Sequence, residues 1–89
     1  MQQVLITTEH RGVFAGEISN KQDLKAVSMP VKNAKMAIRW GTTKGVMELA
    51  ETGPTKHSQI SAQADIPMLH AITAIIKITP EAWKKWKTS

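Results

Sequence analysis

The chain has 89 residues, 42% of them apolar, a formal net charge of +5 and no cysteine. That length fits one domain, residues 1–89, whose core withdraws only ~60–65% of the unfolded surface from water. The missing cysteine excludes disulfides, thiolate metal sites and cysteine nucleophiles, and no apolar run approaches the ~20 residues that span a bilayer.

The surplus of Lys and Arg favours an anionic partner, or serves solubility alone. The start, Met1-Gln2-Gln3-Val4-Leu5-Ile6, has neither a charged n-region nor a long apolar stretch, so no signal peptide is expected. Val4–Thr8 is β-branched and reads as a strand. Gly12–Ser19 pairs back on it as a hairpin whose turn carries Glu9, His10 and Arg11. Phe14 and Ile18 share one face of the second strand by two-residue alternation, and Gly16 between them suggests a bend or a close backbone approach. Asn20–Asp23 is turn-like, and Leu24–Met29 reads as a weaker strand closed by Pro30.

The alternation over 34–40 predicts a half-buried strand with Ala34, Met36, Ile38 and Trp40 inward and Lys35, Ala37 and Arg39 on a basic outer face. Lys44–Thr52 reads as a short helix stopped by Gly53-Pro54. Thr55–Ser58 is a polar loop with Lys56 and His57, Gln59–Ala64 a strand, and Met68–Ile78 a long strand in which His70 is partly buried and satisfied. Thr79 as N-cap, Pro80 in the first turn and Glu81 behind it predict a terminal helix, with Trp83 and Trp86 on one face and not both free in solvent. The expected fold is mainly β: a small, strongly bent antiparallel sheet or SH3-like barrel forming residues 1–79, with a helix near 44–52, and a C-terminal helix over 80–89; the alternative is an open antiparallel sheet with both helices on one face.

Six residues are candidates for holding an anion: His10 and Arg11 on the hairpin turn, Lys35 and Arg39 on the basic strand face, Lys44 at a helix start and Lys56 in the polar loop. A guanidinium recognises phosphate by paired hydrogen bonds, and a helix start favours negative charge. Gly41-Thr42-Thr43-Lys44-Gly45 lacks P-loop glycine spacing. His10, His57 and His70 lack metal-ligand spacing. No nucleophile elbow is present, so no catalytic residue, metal or cofactor is expected and the chain reads as a non-enzyme.

Thr8-Glu9-His10-Arg11-Gly12-Val13-Phe14, Asn33 with Ile38 and Trp40, Gly45-Val46 with Leu49-Ala50 and Thr52-Gly53-Pro54, and Thr79-Pro80-Glu81-Ala82-Trp83 together resemble a widespread family of small uncharacterised phage and prophage proteins. The resemblance covers nearly the whole chain. It departs where Arg39 stands in place of a frequent tyrosine, and where the end reads Lys85-Trp86-Lys87-Thr88-Ser89 rather than an apolar tryptophan tail. The resemblance implies a compact β fold and a place in the cytoplasm of a bacterial host. Joined to the basic charge, it yields an expected function: a homo-oligomer that sequesters a small anionic nucleotide-type ligand, such as a cyclic oligonucleotide or an ADP-ribose derivative made as a host immune signal. The alternatives are a small barrel that binds nucleic acid, and an inhibitor that docks on a host defence enzyme through Trp83 and Trp86.

Overall fold

A computed structural model of the chain describes residues 1–9, 12–39, 46–55 and 58–89, the side chains of Arg39 and Val46 aside. Strands β1 (Gln2–Thr8) and β2 (Val13–Ile18) form the expected hairpin, with Thr7 opposite Val13 and Gln2 opposite Ile18. At its turn the Thr8 amide donates to the Gly12 carbonyl at 2.9 Å, and the Gly12 amide donates to Thr8 Oγ1 at 3.1 Å. Then follow β3 (Met29–Arg39), α1 (Val46–Glu51), β4 (Gln59–Ile60), β5 (Ala64–Leu69), β6 (Ile72–Lys77) and α2 (Pro80–Thr88).

Every strand pair is antiparallel. The sheet order is β4-β3-β2-β1-β6, with β5 alongside the first half of β3. The mainly β expectation with two short helices therefore holds, but the sheet stays open and does not close into a barrel. Curvature comes from β3, which carries one extra residue against β2: Ala15 faces Lys35, whereas Glu17 faces Lys32. Asn33 sits in the bulge with φ 53°, a left-handed conformation that asparagine tolerates better than most side chains.

Strand alternation sends side chains of β1 to opposite faces, and each face is covered. Leu5, Val13, Ala15 and Ala37 form one core with Leu49 and Ala50 of α1 and with Ala82 and Trp86 of α2. Val4, Ile6 and Ile18 form the other with Met29 and Val31 of β3, Leu69 of β5 and Ile72 of β6. The bulge brings the first half of β3 and its partner β5 over the second face. Gly16 makes this approach feasible: a Cβ there would strike Val31 Cγ1 and lie 3.1 Å from the Lys32 carbonyl oxygen.

Four local expectations are corrected. Ala34 is buried as expected, but beyond it the phase of β3 is inverted: Lys35 and Ala37 are buried, while Met36 and Ile38 are exposed. The extra residue at Asn33 shifts the two-residue alternation, so residues that extend one apolar face on paper fall on solvent. No strand forms over Leu24–Met29. Instead, turns at Ser19–Gln22 and Asp23–Ala26 lead into β3, which begins at Met29 and passes through exposed Pro30. The strand expected over Gln59–Ala64 shrinks to two residues. The long strand expected over Met68–Ile78 breaks at His70-Ala71, where Ala71 has φ 57°. His70 is accordingly an exposed turn residue, its Nδ1 3.2 Å from Ser28 Oγ.

The helix signals hold. Thr79 caps α2, accepting the Ala82 amide on Oγ1 at 3.1 Å while donating from that oxygen to the Glu51 carbonyl at 2.6 Å. One hydroxyl thus starts α2 and ties it to the end of α1. Gly53 has φ 89°, and its amide reaches back to the Glu48 carbonyl at 3.1 Å. Trp86 is fully buried, with its indole N–H on the Leu49 carbonyl at 2.9 Å, and Trp83 is half-buried against the same core.

Candidate functional site

The described chain brings several segments to one end of the sheet. Glu9 and Gly12 bound the β1–β2 turn there. Phe14 faces Met36, so the antiparallel register carries the last residues of β3 toward that turn. Arg39 ends β3 opposite Gln59, which puts Ser58 and the start of β4 at the same end. Ala71 joins them, its carbonyl accepting the Glu9 amide at 3.0 Å.

Of the six expected anion contacts, His10, Arg11, Lys44 and Lys56 lie outside the described residues. Arg39 is described by its backbone alone, as the terminal residue of β3. His57 and Trp40 also lie outside. Glu9 and Gly12, the backbone of Arg39, Ser58 with Gln59, and Ala71 thus lie at the same end of the sheet, although they are remote in sequence.

Lys35 lies elsewhere. It is 9% exposed, and its ammonium donates to the backbone oxygens of Lys87 at 3.2 Å and Ser89 at 2.8 Å. A cation at the last carbonyls of a helix is favourable, because those oxygens carry the negative end of the helix dipole and have no partner within the helix. Lys35 therefore fastens α2 to β3 from beneath, and it is buried rather than on the outer basic face expected of it.

A polar chain that sequence reasoning missed crosses the sheet beside Lys35. Gln3 Nε2 donates to Glu17 Oε2 at 3.0 Å, Asn33 Nδ2 donates to Glu17 Oε1 at 2.7 Å, and Gln63 Nε2 donates to Asn33 Oδ1 at 3.1 Å. The Asn33 amide completes it with a bond to Asp65 Oδ1 at 2.9 Å. These residues are scattered in sequence, and the one local signal was an asparagine inside an otherwise regular strand. The bond from Asn33, then that from Gln3, with smaller contributions from the charges of the amino terminus and then Lys87, holds the Glu17 carboxyl below its ordinary value against the opposing effect of burial.

A carboxyl whose folded pKa is depressed adds stability above its unfolded pKa and loses it as pH falls through the folded value. The stability gap between wild type and Glu17→Gln should therefore be widest near neutral pH and narrow on acidification below about pH 4. Urea denaturation across that range measures it; a gap constant down to the acid limit would remove Glu17 from the pH dependence.

An open groove of about 300 Å³ lies between the segment Leu24–Val27 and the β6 residues Ile72–Ile75. Lys35, the one candidate whose side chain is described, does not line it. Among the described residues no group of His, Asp and Glu could hold a metal ion, and no helix is long and apolar enough to cross a membrane.

The described residues form a small open antiparallel β-sheet backed by two helices. The chain matches, over residues 1–86, the family model described as Domain of unknown function (DUF6948), and it belongs to that family. No curated protein and no solved structure matches it.

Proposed function

We propose that this protein is a non-enzymatic binder of a small anionic, nucleotide-type ligand, working as a homo-oligomer, with Arg11 and Arg39 as its principal contacts and His10, Lys44 and Lys56 beside them. The observation that carries this reading is the meeting of the flanks of three basic segments at one end of the sheet, in a chain of net charge +5. Clustered positive charge raises the local concentration of an anion and supplies hydrogen bonds to phosphate. Lys35 is left out of this set because the end of α2 occupies its ammonium.

The resemblance to phage proteins supports a finer version, in which the ligand is an immune signal of a bacterial host, a cyclic oligonucleotide or an ADP-ribose derivative, and the protein withholds it in the host cytoplasm. The nucleic-acid alternative has less support: single-strand binding relies on exposed aromatic platforms, whereas Trp86 is buried and Trp83 and Phe14 are half-buried. Docking on a defence enzyme through Trp83 and Trp86 meets the same obstacle, since Trp86 has no exposed surface.

The test is calorimetric titration with a panel of cyclic nucleotides and ADP-ribose derivatives, with a single-stranded oligonucleotide in parallel. Arg11→Ala and Arg39→Ala should each cost about 1.5–3 kcal/mol of binding, one to two decades in affinity, with unfolding midpoints unchanged. Binding of the oligonucleotide alone, with a steep salt slope from counterion release, would replace the proposal with the nucleic-acid reading.

A further inference from the structure

The two margins of the sheet are built differently. On one side β4 is two residues long, and β5 carries Asp65 and Pro67. Short strands, charges and proline are the devices that keep another strand from pairing with an edge. On the other side lies β6, Ile72-Thr73-Ala74-Ile75-Ile76-Lys77, with β1 as its one strand partner among the described residues. It has no proline, and its single charge comes at its last position. Ile75 packs on one core and Ile76 on the other, yet both are only half-buried. A β-branched edge of this kind, apolar on both faces, is a template for a further strand.

We infer that β6 is where two copies of this chain meet, pairing antiparallel about a two-fold axis that passes through the sheet at Ile75. This rests on the homo-oligomer of the proposed function and names its interface. Such an axis sets residues of like facing opposite one another, because the same face continues across the junction. Ile75 then meets Ile75 of the second copy. Ala74, on the face of Leu5, meets Ile76 of the second copy, small against large. Thr73 meets Lys77. The two Lys77 residues stand four positions apart along the strands, roughly 14 Å at a rise of 3.4 Å per residue, which is beyond the screening length of about 8–10 Å. The pairing is thus self-complementary in size and free of opposed like charges. The first residue of β6 is already engaged, its amide donating to the Val27 carbonyl at 2.9 Å, so the pairing runs over Thr73–Lys77, past the groove that Leu24 and Val27 wall.

The absence of cysteine makes the test direct. In an antiparallel pair, opposed Cα atoms lie about 4.5–5.5 Å apart, within the range a disulfide bridges. Ile75→Cys should therefore form a covalent dimer under mild oxidation. Ile38→Cys, on the other exposed apolar strand segment, should not. Wild type should sediment as a dimer. Ala74→Lys, which changes an exposed side chain, should weaken that dimer at least about tenfold without altering the far-ultraviolet spectrum.

A monomeric wild type at the highest soluble concentration overturns the inference. So does a dimer that Ala74→Lys leaves intact or that cross-links at residue 38 and not at 75, an outcome that relocates the interface and leaves an oligomeric binder standing. An intact β6 dimer that binds none of the nucleotide panel counts against the proposed ligand alone.

Discussion

Trp86→Ala should cost about 3–5 kcal/mol, the range for removing a buried tryptophan, and leave little of the protein folded at physiological temperature. Trp86 is the largest fully buried side chain and belongs to the core that joins β1, β2 and β3 to both helices. Its loss opens a cavity between α1 and α2 and frees the Leu49 carbonyl from its 2.9 Å bond. A domain this small holds only on the order of 5 kcal/mol in total, so the melting temperature should fall by at least ~12 °C at 4–8 °C per kcal/mol. Trp86→Phe separates the two contributions. It keeps most of the packing but leaves the carbonyl unpaired, and should cost about 1–3 kcal/mol. Urea unfolding followed by circular dichroism measures both; a loss of less than ~1 kcal/mol for the alanine variant would show that α2 is not an integral part of the core.

The helix ends were legible because their chemistry is local. Thr79, Pro80 and Gly53-Pro54 act within a turn of where they stand, and each sits where its capping or stopping role requires. The β1–β2 hairpin was legible for the same reason, since Thr8 and Gly12 close it by contacts four residues apart. The phase of β3 was not. Alternation over 34–40 is real in the sequence, but which face it points to depends on a bulge that is fixed by Glu17, Gln63 and Asp65 from other parts of the chain.

Lys35 shows the cost of that omission most clearly. A lysine on a strand normally marks the solvent side, and here the opposite holds because the carbonyls of α2, fifty residues on, receive its ammonium. The break at His70-Ala71 was hidden as well: alanine at φ 57° carries none of the Gly or Asn signal that usually announces a left-handed turn. As for the site, the basic residues could be picked out by type, but that the β1–β2 turn, the end of β3 and the start of β4 lie at one end of the sheet required the register of β2, β3 and β4.

The bend in β3 makes a second demand on the sequence, at Gly16. This glycine stands on the face of Phe14 and Ile18, directly under the crossing strand. A side chain there would collide with Val31 Cγ1 and crowd two backbone atoms, the Lys32 oxygen at 3.1 Å and Ala34 Cα at 3.3 Å. Val31 could yield by changing rotamer, but the two backbone atoms can move only if the bulge itself shifts, and Asn33 is tied there to Glu17 and Asp65. Gly16→Ala should therefore destabilise by about 1–3 kcal/mol, although alanine normally favours a strand over glycine. Gly16→Val, with two further carbons, should lie at or above the top of that range. The Val31→Ala background removes the side-chain part of the clash and leaves the backbone part, so the cost of Gly16→Ala should shrink there without vanishing, a coupling of about 0.5–3 kcal/mol in a double-mutant cycle. Additive costs would mean that β3 does not cross over Gly16 as described. A Gly16→Ala variant as stable as wild type would mean that the bend tolerates a wider gap, and that the second core is held by apolar contact alone.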